Sequence, residues 1–189
     1  MNFCSNCGSA ALALRVPPGD SLPRHVCESC GTIHYQNPKV VVGCLPEWQG
    51  QVLLCRRAIE PRYGLWTLPA GFLENNETLG AGAMRETLEE ANARVTLGPL
   101  YALISLPQIS QIYIMFRASL DDIAFGPGVE SLEVRLFDEA DVPWEALAFR
   151  TIARTLRRYF HDRRLGAFGL HVSALTRRPP LTPDLLAAG

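Results

Sequence analysis

The sequence predicts an α+β fold, a mixed sheet flanked by helices, with a small separate unit at the amino terminus. Three observations carry that reading. Apolar runs of strand length recur between residues 39 and 137, and two segments have helical periodicity. Four cysteines gather in the first thirty residues, where strand-forming runs are short. The 189 residues allow one domain with a satellite, and 48% apolar content excludes wholesale disorder. No apolar run approaches the roughly 18 residues needed to cross a bilayer. The first seven residues lack a basic segment and an apolar segment, so no secretory signal is expected and the chain is read as cytoplasmic. A net charge of −1 gives no general attraction to nucleic acid or anionic lipid. The balance is uneven: from residue 145 onward eight Arg face three acids, a net +5, which leaves −6 for residues 1–144.

Taken in order, the first element is the cysteine unit, residues 1–36. Cys4 and Cys7 form one C-x-x-C pair, Cys27 and Cys30 a second, with nineteen residues between them. Each turn puts two thiolates on one side of a tight loop, and two facing turns make the closed tetrahedral sulfur site that structural zinc prefers. Gly8 and Gly31 follow the pairs and ease the backbone around the sulfurs. Short strands are expected at 10–16 and 24–26, joined by Pro17-Pro18-Gly19-Asp20. This pattern is a zinc ribbon. Disulfides would need an oxidising compartment, and a thioredoxin-like site would need one C-x-x-C on a βα unit. His25 and His34 are left as surface or packing residues, and Cys44 and Cys55, inside apolar strands, as inert core thiols.

The main domain is expected over 37–165. Residues 39–45 and 51–57 read as a hairpin, and 65–68 as a short apolar piece before Pro69-Ala70-Gly71. Residues 78–91, rich in Ala, Glu and Leu, predict a helix that Asn92 stops in the left-handed region. Further strands are expected at 93–97, 101–106, 111–120 and 133–137. A second helix is expected at 151–162, with Ile152, Leu156, Tyr159 and Phe160 inward. Residues 166–189, with Pro179-Pro180 and Pro183, read as an irregular tail.

Chemistry concentrates between Gly71 and Glu90. At about 100° per residue, Glu86, Glu89 and Glu90 share one helix face, with Met84, Leu88 and Ala91 turned toward a core. Gly82, one turn before Glu86, would leave room for a ligand. Three clustered carboxylates repel and need counter-cations; hard ions such as Mg²⁺ or Mn²⁺ choose such oxygens and bridge the oxygens of a diphosphate. A bare acidic helix face is otherwise solvated surface, and here the preceding loop, with Gly71, Glu77 and Arg85 at fixed offsets, decides for the metal.

This stretch resembles the Nudix box, Gx5Ex7REUxEExGU, with U apolar. Gly71, Glu77, Arg85, Glu86, Glu89 and Glu90 match; Thr87 replaces an apolar residue and Asn92 the box glycine. The resemblance implies an α/β/α sandwich of the Nudix type with Glu86, Glu89, Glu90 and the carbonyl of Ala70 holding Mg²⁺ or Mn²⁺. It implies that Glu77 pairs with Arg85 to fix loop against helix. The general base would be a box glutamate, Glu89 or Glu90, or a later acid, Glu130 or Glu133. Together with the ribbon, the segments 33–39, 64–71 and 127–133 are similar to zinc-ribbon Nudix hydrolases such as the plant plastid enzyme acting on FAD and ADP-ribose. That implies cleavage of a diphosphate link with release of AMP, and a homodimer.

The nearest alternative is an NADH pyrophosphatase, whose downstream SQPWPFPxS signature is absent; residues 105–111 read SLPQISQ. From a different class, a nucleotide-sensing module could bind nucleic acid or protein through the ribbon, but residues 1–39 carry only +1 and no basic stripe. Arg56 and Arg57, ending a strand, are candidate phosphate ligands or surface cations. Trp66 and Phe72, flanking the Pro-Ala-Gly turn, either stack on a flat base or pack beneath the loop.

Overall fold

The structure, a computed structural model, describes residues 1–176. It contains two compact units, Met1–Pro38 and the remainder from Lys39. In the first, β1 (Leu12–Arg15) pairs antiparallel with β2 (Arg24–Cys27), and β2 with β3 (Ile33–His34).

The second unit is built on an eight-stranded mixed sheet. Its strands are β4 (Lys39–Trp48), β5 (Gln51–Arg57), β6 (Trp66–Thr67), β7 (Ala70–Phe72), β8 (Val95–Leu106), β9 (Gln111–Leu120), β10 (Ser131–Phe137) and β11 (His171–Ala174). The order is β10-β5-β4-β9-β8-β11, with β6 on β5 and β7 on β4; β4 runs parallel to β9 and β11 parallel to β8. Two helices cover the sheet, α1 (Leu79–Ala91) and α2 (Arg150–Leu165).

Strand alternation assigns a core to each face. Val42 and Cys44 of β4 and Ile114 and Ala118 of β9 pack with Ala83 of α1. Leu45, Val52, Leu54 and Met115 turn the other way, onto Ile152, Leu156, Tyr159 and Phe160 of α2. Cys44 and Cys55 are buried, and burial pushes both thiols up, Cys44 to about 11. The hairpin turns through Gln49 and Gly50, both left-handed (φ 49° and 85°), so β4 reaches two residues from β5. Pro46 lies inside β4 because the strand changes partners there, from β7 at Val41–Gly43 to β5 at Glu47.

Several expectations need correction. The strands expected at 93–97 and 101–106 form one strand, β8, which passes Gly98-Pro99 by shifting register against β9. The tail expected to be irregular after Gly166 carries β11. This strand joins an edge of the sheet and is anchored by His171, whose Nε2 lies 2.6 Å from Asp162 of α2, where Tyr101 also donates at 2.9 Å. Parallel pairing between elements so distant in sequence leaves no local signal. Pro179, Pro180 and Pro183 lie outside the described residues.

On α1, Met84 and Leu88 do not face the core; they are 38% and 49% exposed. The inward face is Gly82, Ala83, Thr87, Glu90 and Ala91, because small residues let the helix lie close on the sheet. Thr87 is fully buried and donates to the carbonyl of Ala83 at 2.8 Å. Gly82 makes packing room, not ligand room: a Cβ there would meet Glu77, Val42 and Leu73 within 3.0 Å.

Candidate active site

Cys4 and Cys7 precede β1, Cys27 ends β2 and Cys30 lies in the turn between β2 and β3, and the four sulfurs lie within 4.8 Å of one another. Sγ–Sγ distances are 3.7 Å for Cys4–Cys30 and 3.6 Å for Cys7–Cys27, with no disulfide among them. A tetrahedron with bonds of about 2.3 Å has edges of about 3.8 Å, so the sulfurs are spaced for one thiophilic ion. The Thr32 hydroxyl and the Asn6 amide lie 3.1 and 3.7 Å from Cys30 Sγ. Led by Thr32, these donors lower that thiol to about 5, which favours the ligating thiolate.

In the second unit, a cleft of about 1400 Å³ opens where α1, β7 and the loops after β5 and before β10 meet. Ala70, Gly71, Phe72, Glu86, Glu89, Glu90, Arg57 and Glu130 line it. Thr78 caps the start of α1 by accepting from Ala81 at 3.1 Å, and Asn92 ends it in the left-handed region (φ 47°). Between these caps the spacing 86, 89, 90 carries the carboxylates along one side. Glu89 is exposed, Glu86 is half-buried and Glu90 is 6% exposed.

Arg85 organises the loop against this helix. Its Nε and Nη2 donate to Glu77 at 3.1 and 2.7 Å, Nη2 also to the Phe72 carbonyl at 3.1 Å, and Nη1 to Glu86 and Glu89 at 2.8 and 3.0 Å. Glu77 further accepts from the Glu74 N–H at 2.7 Å. The Arg85 guanidinium, with that N–H, holds the Glu77 carboxyl down at about 2.

Glu90 is pushed up to about 8, chiefly by burial, despite accepting from the Ala70 N–H at 3.2 Å. Burial also raises Glu86. Two buried, mutually repelling carboxylates of this kind call for a cation. Gly71 makes room for the Glu86 carboxylate itself: a Cβ there would stand 2.3 Å from a Glu86 oxygen. Glu86, Glu89 and Glu90 are the oxygen donors here available to a hard divalent ion, while among the described residues only the four cysteines lie close enough together to share one.

Of the other candidates, Phe72 and Arg57 line the cleft, whereas Glu133, Arg56 and Trp66 are not among its lining residues. Glu133 does not line the cleft; a register shift between Ser131 and Glu133 turns it along β10, 3.7 Å from Arg56 and from Arg135. Arg56 points away from Arg57, as strand neighbours must, and donates to the Gly64 carbonyl at 3.0 Å. Trp66 is core, edge-on to Phe137 at 4.9 Å between centroids. Phe72 is exposed, with the Lys39 ammonium 5.1 Å from its ring. Arg57 donates to the Pro61 carbonyl at 3.0 Å and lies over Phe149 at 5.1 Å.

Sequence reasoning missed Tyr113, Phe149 and Arg150, which also line the cleft. They come from β9 and the start of α2, far from the acidic helix in sequence, and only the place of Tyr113 beside Met115 on an alternating strand hints at its direction. No helix is long and apolar enough to cross a membrane among the described residues.

Comparison with known proteins follows the same division. The model described as Nudix N-terminal matches residues 2–36, and that of the NUDIX domain matches residues 37–160. A crystal structure of a NUDIX hydrolase from Nitrosomonas europaea is 59% identical with a TM-score of 0.90, covering 94% of this chain and 100% of that one. The NAD-capped RNA hydrolase NudC of Photobacterium profundum is 31% identical over 161 residues, 82% of this chain and 56% of its own length. The ADP-ribose pyrophosphatase of Methanocaldococcus jannaschii is 27% identical over 129 residues, 66% of this chain and 76% of its own length. The chain thus spans little more than half of the NudC relative it matches.

Proposed function

The chain belongs to the Nudix hydrolase family, and on that premise we propose that it hydrolyses the diphosphate bond of a nucleoside diphosphate linked to a second moiety, FAD or ADP-ribose, releasing AMP. The observation that carries this reading is the carboxylate row Glu86, Glu89 and Glu90 at the cleft, the first two bonded to the Arg85 that also clamps Glu77, and the third to the Ala70 N–H. Glu86, Glu89 and Glu90, with the Ala70 carbonyl, would hold magnesium or manganese. Such an ion, when bound, neutralises charge across the diphosphate oxygens during attack by water. Cys4, Cys7, Cys27 and Cys30 would hold zinc, which would keep the ribbon folded and leave no open position for chemistry.

The chain's own groups then have distinct tasks. Glu90, buried and fixed by the Ala70 N–H, serves as an ion ligand. Glu130, exposed on a loop at the same cleft, takes a proton from the attacking water. The water oxygen bonds to phosphorus, and the bridging P–O bond breaks with its electron pair leaving on the departing phosphate. Arg57, Tyr113 and Phe149 line the same cleft, and in this reading they bind the second moiety.

The match to a NudC protein supports a second reading, NAD or NADH as the substrate. All these substrates share an AMP half, so a panel of FAD, ADP-ribose and NADH with Mg²⁺ or Mn²⁺, read by product mass, separates them. AMP from FAD or ADP-ribose at the highest kcat/KM is the expected result; preferential cleavage of NADH would favour the second reading. No AMP from any of the three would refute both.

A further inference from the structure

The last carbonyls of a helix need partners beyond its end, and on α1 the loop before β10 supplies them. The Gly126 N–H donates to the Ala91 carbonyl at 2.9 Å and the Gly128 N–H to the Glu90 carbonyl at 3.0 Å. Contact is so close that a Cβ on Gly128 would stand 1.7 Å from the Glu89 carbonyl oxygen, so only glycine fits there. The return connections come from the Asn92 side chain, whose Nδ2 donates to the carbonyls of Pro127 at 3.0 Å and Gly126 at 3.4 Å. Phe125, just before this segment, packs against the buried cluster of Leu53, Ala91 and Ala93, whereas Val129, beyond it, is 98% exposed. Further along, the Glu130 carbonyl accepts from Ala58 at 2.8 Å.

Asn92 stands where the box has glycine. Glycine would satisfy the left-handed stop at φ 47° equally well, so the stop does not account for the amide. We propose that Asn92 is a positioning residue: its amide fastens residues 126–128 onto the end of α1 and thereby holds Glu130 beside the carboxylates of the cleft. This role rests on the diphosphate-hydrolysis reading above. Glu130 lines the same cleft as Glu86 and Glu90, which is the placement the latch would maintain.

The test compares wild type, Asn92→Gly, Glu130→Gln and the double variant on the preferred dinucleotide with Mg²⁺. Asn92→Gly is expected to lower kcat about tenfold with KM within about twofold, the signature of a displaced catalytic group. Glu130→Gln is expected to lower kcat by at least about 100-fold. The double variant should then match Glu130→Gln alone, because there is nothing left to position. Amide exchange at Gly126 and Gly128 should quicken in Asn92→Gly, while the thermal midpoint stays within about 3 °C. Wild-type kcat in Asn92→Gly or in Glu130→Gln, losses that multiply in the double variant, or unchanged exchange would overturn the proposal. A wild-type protein that cleaves no dinucleotide would overturn the functional reading and the positioning role together, whereas the exchange readout judges the latch by itself.

Discussion

In the ribbon, four thiols come within 4.8 Å of one another, the one such convergence of metal-ligating side chains among the described residues. On α1 the acids do not converge: Glu86 and Glu89 are tied to Arg85, and Glu90 is drawn to the Ala70 N–H. The first arrangement supplies four thiols, a full tetrahedral set with no open position, and suits an ion that does no chemistry. The second faces an open cleft, with Glu86 and Glu89 bonded to Arg85 and Glu90 to the Ala70 N–H. Local turns suffice to build the thiol site, whereas the carboxylate site needs a loop, a helix and a clamp between them.

The largest expected effect falls on the closed site. Structural zinc of this kind contributes about 10–16 kcal/mol to folding, so Cys27→Ser should collapse the amide dispersion of residues 1–36 in an NMR spectrum. Turnover per molecule with a folded second unit should remain within about twofold once Mg²⁺ is supplied. A dispersed ribbon spectrum without metal, or lost turnover in folded protein, would merge the two roles that the comparison keeps apart.

Glu77→Gln addresses the clamp on the open site. Arg85 loses its ionic partner in the loop while keeping Glu86 and Glu89, and kcat should fall about tenfold while the fold persists. The pH dependence has a definite sign. The folded carboxyl sits at about 2 against an ordinary 4.5, so the clamp's contribution is complete above pH 4.5 and is lost as pH falls toward 2. The thermal-midpoint difference between wild type and Glu77→Gln should therefore be constant at neutral pH and shrink below 4.5. A difference that grows on acidification would contradict the assignment.

The smallest effect concerns which face of α1 is buried. Leu88→Lys should change stability by less than about 0.5 kcal/mol, whereas Ala83→Leu should cost about 1–3 kcal/mol by overpacking. Denaturant midpoints of the two variants measure both.

These contrasts also explain what could be read beforehand. Cys4, Cys7, Cys27 and Cys30, and the set from Gly71 to Glu90, declare themselves because short-range spacing fixes where their donor atoms lie. The α2 core residues Ile152, Leu156, Tyr159 and Phe160 declare themselves by period. Met84 and Leu88 misled because hydrophobicity was weighed above size; Gly82 and Ala83 give the closer approach to the sheet. Glu133 misled because the register shift after Ser131 turns it away, and no residue pattern announces a bulge. Strand β11 and the cleft residues Tyr113 and Phe149 depend on contacts between segments far apart in sequence. Asn92 was visible as a departure from the box, but its amide has a role only once the 126–128 loop is seen lying across the helix end.

The central claim is that the carboxylate row directs water onto a diphosphate. Its most direct test is hydrolysis of ADP-ribose in heavy-oxygen water with Mg²⁺, comparing wild type with Glu90→Gln. The account predicts AMP and ribose 5-phosphate with one solvent oxygen in one of the two phosphates, and a rate at least about 100-fold lower in the variant. Absence of AMP, products without solvent oxygen, or an undiminished rate in Glu90→Gln would contradict it.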